Sequence, residues 1–136
     1  MMLRATTASV SRALLPALLV LSFACHGQGG RVLGDWTFTV TGLCDAGSLS
    51  LTEIDGAGFW DTVWGKWTCG PDAPRDVEVA VFDDGGVLVI FLAKPRTVVP
   101  FVYQWPGFSG NWTDDTIHGT ADDGSGAVFH ATRVSR

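Results

Sequence analysis

Apolar and polar side chains alternate along most of the chain from residue 34 onward. In the segment GDWTFTVTG, residues 34–42, Trp36, Phe38 and Val40 fall on one face, while aspartate and threonine fall on the other. A period of two residues is typical of a β-strand with one buried face. The same reading predicts seven further strands, at residues 48–54, 59–69, 76–82, 86–93, 101–112, 116–121 and 126–134.

Turn-forming residues separate these strands, for example DGAG at 55–58, DDGG at 83–86 and DDGSG at 122–126. Glycine tolerates a positive φ, and aspartate and serine bond to their own backbone, so such clusters mark tight turns. No stretch combines helical spacing with helix end signals. Short strands joined by tight turns predict an all-β fold, either an antiparallel barrel or a sandwich.

The strand count favours the barrel. The segment FVYQWPGFSGNW, residues 101–112, is one strand bent at Pro106-Gly107 or two strands divided there. We take it as one strand, because proline with glycine also marks a bulge or a barrel corner. An even number of strands returns the last strand beside the first, so the prediction is an eight-stranded antiparallel up-and-down barrel.

The first 24 residues have the character of a secretory signal peptide. Arg4 and Arg12 are the only charged residues before Cys25, and residues 13–24 are uncharged and mostly aliphatic. That stretch is shorter than the roughly 20 residues that cross a bilayer. We therefore expect residues 1–24 to be a leader, residues 25–33 a tether, and residues 34–136 the barrel domain.

The leader resembles that of bacterial lipoproteins. Ser22 and Ala24 are small, like residues that precede the lipidated cysteine of a lipobox, although Phe23 between them is bulky and Leu21 stands one place early before Cys25. The resemblance implies a lipid on Cys25, anchorage to a membrane and, since His26 rather than aspartate follows, an outer-membrane location. Simple secretion after cleavage and an uncleaved anchor are the alternatives.

The number of cysteines agrees with an exported protein that is lipidated on Cys25. The chain has three cysteines, and an odd thiol in an oxidising compartment needs an explanation. If Cys25 carries lipid, Cys44 and Cys69 remain as a pair. In an up-and-down barrel these two residues lie at the same rim, so we predict a disulfide between them.

Charge excludes some classes of partner. Removing residues 1–24 takes away two arginines and no acid, so the net charge changes from −5 to −7. Such a surface repels nucleic acid and anionic lipid head groups. Three Asp-Asp pairs, at residues 83–84, 114–115 and 122–123, lie in or beside predicted turns. They lack the spacing of an EF-hand loop, so we do not predict a calcium site. We expect no cofactor and no catalysis, because no catalytic, metal-binding or phosphate-binding motif stands out.

Gly34-Asp35-Trp36 at the start of the first strand, with Arg133 late in the last strand, resembles the pattern of calycins, the group of lipocalins and avidin-type barrels. The resemblance implies that Trp36 closes one end of the barrel, which we call the floor, and that Arg133 packs across it. A guanidinium stacks well on an indole face while its edge stays solvated.

Aromatic residues supply the candidate binding surfaces. Alternation places five large residues inside, as core or as the lining of a small apolar ligand site: Phe38, Leu51, Trp67, Phe91 and Phe129. Trp60 and Trp64 fall on the outer face and are candidates for a partner-binding patch. His118 and His130 face each other on consecutive strands, but no third metal ligand is evident, so we predict surface histidines.

These observations predict a monomeric, non-catalytic binding protein of the cell envelope. The first hypothesis is a binder of a small apolar molecule at the open rim of the barrel. The second is a module that binds or inhibits another envelope or secreted protein through an exposed tryptophan patch. A structural role in the envelope is the third.

Overall fold

The structure is a computed structural model that describes residues 28–56 and 60–136. Eight strands form one closed antiparallel barrel in which each strand pairs with the next and the last pairs with the first. The strands are β1 (Gly34–Val40), β2 (Cys44–Gly56), β3 (Trp60–Cys69), β4 (Arg75–Phe82), β5 (Gly86–Phe91), β6 (Phe108–Trp112), β7 (Thr116–Ala121) and β8 (Val128–Ser135). The predicted all-β up-and-down barrel is confirmed.

The two ends of the barrel differ. The floor carries the β4–β5 and β6–β7 turns and a short 3₁₀ helix at Gly29–Val32. The opposite end, the mouth, carries the β1–β2, β3–β4, β5–β6 and β7–β8 connections. No helix among the described residues is long and apolar enough to span a membrane.

The segment before β1 packs against the barrel. Val32 is completely buried in the core cluster, and the backbone N–H of Gly29 donates to Asp61 at 2.9 Å. The part of the predicted tether from Gln28 to Leu33 therefore belongs to the folded domain. The predicted signal peptide and the lipidation of Cys25 lie outside the described residues.

The sixth strand is shorter than predicted. Only Phe108–Trp112 pairs with β5 and β7, and residues 101–107 belong to a long β5–β6 connection, residues 92–107, which we call the strap. A single bridge, Leu92 to Tyr103, continues the pairing. The prolines at 100 and 106 have no N–H to donate to a ladder, which is why strand pairing is not propagated through this segment.

Alternation sends one side chain in two into the core, as predicted. In β1 the burial of Trp36, Phe38 and Val40 contrasts with the exposure of the residues between them. Cys44 and Cys69 form the predicted disulfide, with 6.0 Å between their Cα atoms. The bond joins the mouth ends of β2 and β3.

Glycines allow the strands to approach closely at two places. A Cβ on Gly65 would lie 2.1 Å from the carbonyl oxygen of Ser50, and one on Gly110 would lie 1.8 Å from that of His118. Each glycine precedes a buried tryptophan by two residues. The space beside each glycine is filled by the backbone of the neighbouring strand, so these residues are explained by the bending of the barrel.

Candidate functional site

The barrel interior is filled by aromatic side chains of the protein itself. The five residues predicted to line it are all buried: Phe38, Leu51, Trp67, Phe91 and Phe129. The ring of Phe91 lies at the centre of this cluster, 5.2 Å from Phe38, 5.3 Å from Trp67 and 5.6 Å from Phe129 between centroids. These separations are typical of packed aromatic pairs.

Trp105 of the strap closes the mouth. Its ring lies 4.8 Å from Trp67 and 5.0 Å from Phe91. Sequence reasoning missed this role, because it placed Trp105 in the middle of a strand. The local sequence feature that could have indicated this role is the position of Trp105 directly before Pro106-Gly107. At such a break in a strand the backbone can turn a side chain toward the barrel interior.

Arg133 and Trp36 close the floor together. The guanidinium carbon of Arg133 lies 4.3 Å from the centre of the Trp36 ring, and the two residues are register partners on β8 and β1. The Trp36 indole N–H donates to the carbonyl of Val32 at 2.9 Å. Arg133 donates to three backbone carbonyls, those of Arg31, Leu33 and Asp114. The floor contact therefore joins the 3₁₀ segment, the β6–β7 turn and both end strands.

Trp60 and Trp64 do not form a shared exposed patch. Trp60 is 43% exposed and packs beside Phe82 at 5.9 Å. Trp64 is only partly exposed, because the strap covers it: Phe101 lies edge-on at 6.0 Å and the Arg96 guanidinium at 4.7 Å. Trp64 thus serves as a platform on which the strap rests.

An ionic network holds the base of the strap against the barrel wall. The buried carboxylate of Asp76 accepts Lys66 Nζ at 2.5 Å and the backbone N–H of Arg96 at 2.8 Å. The Arg96 side chain also reaches Glu53 at 2.9 Å. Burial alone would raise the pKa of Asp76, but the hydrogen bonds from Lys66 and Arg96 outweigh it, so the pKa lies below its ordinary value. Asp76 therefore stays ionised and the base of the strap stays attached.

The second half of the strap contains an apolar, exposed segment. Residues 98–103, which we call the strap apex, read VVPFVY. Val99 is 81% exposed and Tyr103 58% exposed, and Val98 and Val102 are each exposed over about two fifths of their surface. Adjacent large apolar side chains on a surface are typical of interaction sites. The sequence pattern predicted residues 101–103 to be strand and left residues 98–100 between two strands.

His118 and His130 are exposed partners on β7 and β8, with 6.0 Å between ring centroids. Within residues 28–56 and 60–136, no group of three or more His, Cys, Asp or Glu side chains is placed to hold a metal ion. The two histidines lie on the outer wall of the barrel. Their register neighbours on the adjoining strands are Asn111 on β6 and Thr39 on β1, whose side chains are poor metal ligands.

Comparison of this chain with protein-family models, with curated proteins and with solved structures finds no match. The surface chemistry of the barrel is therefore what indicates a function.

Proposed function

We propose that this protein is an exported, lipid-anchored and non-catalytic binding module that holds another protein through the strap apex. The observation that carries the proposal is the exposure of Val99 and Tyr103 on a loop whose base is fixed by Asp76 and Arg96. A loop that is already anchored loses less conformational freedom on binding than a free loop does.

The filled interior supports a protein partner over a ligand held inside the barrel. Trp105 occupies the space at the mouth through which a ligand would enter, and it contacts Trp67 and Phe91. A small molecule inside would have to displace this packing. A protein partner instead needs only an apolar cleft that accepts the strap apex, with Tyr103 as an aromatic anchor of the kind enriched at interface centres.

Charge indicates what kind of protein fits. The chain from residue 25 onward has a net charge of −7, so a partner with positive charge around an apolar cleft is attracted at long range. The same charge opposes insertion of the apex into an anionic membrane. We therefore infer a cationic envelope or secreted protein as the partner.

The position of Gln28 fits an anchored module. Gln28 lies at the floor, three residues after Cys25, whereas the strap joins the barrel at the mouth. A lipid on Cys25 would hold the floor toward the membrane and leave the mouth facing away. The Trp36–Arg133 contact, which calycins share, is further support for a calycin-type barrel.

The test is photo-cross-linking in cells of the native host. A photoreactive residue replaces Val99 in the strap apex in one strain and Val134 in another, the latter being 64% exposed but located on β8. We expect a discrete protein adduct from position 99 and none from position 134. The substitution Y103S should remove the adduct without changing thermal unfolding.

Other outcomes would overturn the proposal. A lipid adduct at position 99 would place the apex in a membrane. The same adducts at positions 99 and 134, or no adduct at position 99, would show that the apex has no dedicated protein partner.

A further inference from the structure

A shallow depression lies at the mouth, beside the closing tryptophan. Its volume is about 410 Å³, and it is formed where the β1–β2 turn, the end of the strap and the β7–β8 connection meet. Its main apolar lining consists of Leu43, Trp105, Pro106 and Ala127. The size is that of a site for a small organic molecule. None of the strap apex residues lines it.

The polar part of this depression is acidic. Asp123 is the only charged residue among the described residues that line it. Its carboxylate accepts the backbone N–H of Ser125 at 2.9 Å. Hydrogen bonds from Ser125 lower the pKa of Asp123 below its ordinary value of 3.8, so the carboxylate is ionised at neutral pH.

The surroundings add to the negative potential. Asp122 precedes Asp123 and is exposed, and Asp45 lies in an adjoining hollow that shares Leu43 with the depression. No basic residue lines either hollow within residues 28–56 and 60–136. The Asp123 carboxylate would repel an anionic ligand, and a neutral apolar ligand would leave its negative charge without a counter-ion.

We propose that the mouth depression binds an organic cation with an apolar body, the ammonium group facing Asp123 and the body lying against Trp105 and Leu43. An indole attracts a cation that approaches its ring, and a carboxylate adds a direct charge interaction. This site goes beyond the protein-binding role of the strap apex and does not depend on it.

The experiment is an NMR titration of the ¹⁵N-labelled purified protein with benzyltrimethylammonium. We expect saturable shifts of the amides of Leu43, Ser125 and Ala127, with the amide of Val99 unmoved. Benzylsulfonate, which has the same aromatic ring and the opposite charge, should cause no saturable shift.

Matched variants separate a local site from the effect of overall charge. Asp123→Asn keeps an oxygen that can accept the Ser125 N–H but removes the charge, and it should weaken binding about threefold. Asp83→Asn makes the same change of net charge in the β4–β5 turn at the floor. Its affinity should equal that of the unmodified protein.

Three results would overturn this proposal: equal binding of the cation and the sulfonate, an equal effect of the two asparagine variants, or no saturable shift at the mouth. Because the photo-cross-linking experiment reports on positions 99 and 134, which do not line the depression, either proposal can fail without the other.

Discussion

Replacing Arg133 by methionine tests whether this side chain holds the floor of the barrel closed. Methionine is similar in length and keeps an apolar contact with Trp36, but it donates no hydrogen bond. The substitution therefore removes the three bonds to backbone carbonyls and the stacking of the cation on the indole.

The expected magnitude follows from these contacts. Arg133 is partly exposed, so each of its hydrogen bonds is assigned about 1 kcal/mol, below the usual range for charged donors, and the cation–π contact adds about 0.5 kcal/mol. We expect Arg133→Met to lower the free energy of unfolding by about 3.5 kcal/mol, because these contributions sum to that value. Arg133→Lys keeps the charge and one of the three hydrogen bonds, so it should lose about 2 kcal/mol.

The measurement is urea-induced unfolding followed by tryptophan fluorescence, with the disulfide intact. Arg136→Met is the matched control, because Arg136 lies three residues further along and only approaches Asp114 at 3.9 Å as an exposed ion pair. Its loss should stay below about 0.5 kcal/mol. Equal losses for the two variants would refute the conclusion that Arg133 closes the floor.

Three further predictions concern stability. The double substitution C44S/C69S should lower the free energy of unfolding by about 3.5 kcal/mol, because a bond across 25 residues restricts the unfolded chain; a loss in urea unfolding under about 1 kcal/mol would count against this estimate. Burial raises the pKa of Glu78 above its ordinary value of 4.5, so its ionised form destabilises the fold at neutral pH and this cost disappears as pH falls below 4.5. Glu78→Gln should therefore raise the melting temperature at neutral pH and not at lower pH; no gain at neutral pH would contradict the reasoning. Gly110→Ala should destabilise the barrel by about 3 kcal/mol because its Cβ would overlap the backbone of β7, whereas Gly30→Ala, which meets its nearest atom at 3.7 Å, should change thermal unfolding little; similar melting temperatures for the two variants would argue against the overlap.

The barrel was predictable because its main determinants are local. Alternation in β1 and β8 and the aspartate and glycine turns fix the strand positions, and an even strand count then brings Trp36 to Arg133 and Cys44 to Cys69. These inferences need only the period of a strand and the closure of a ring.

The strap was not predictable from the same rules. Its residues 101–105 are as apolar and aromatic as a strand, but their backbone pairs with β5 only around the single Leu92–Tyr103 bridge and does not form a continuous ladder. Arg96 and Phe101 cover Trp64, which lies more than 30 positions earlier in the chain. A local sequence pattern cannot predict a contact over that separation. The readable signal was the repeated proline at 95, 100 and 106, which interrupts backbone donors through the whole connection.

Pairing of β8 with β1 also limits how this molecule meets others. A closed ring of strands has no terminal member, so the eight strands that the structure describes offer a second polypeptide no outer strand to pair with by backbone hydrogen bonds. Recognition of the barrel then depends on side-chain contacts. The strand pairing between molecules that starts cross-β aggregation is disfavoured, because the barrel strands already have partners on both sides. A protein that displays Val99 to solvent can remain dispersed for that reason.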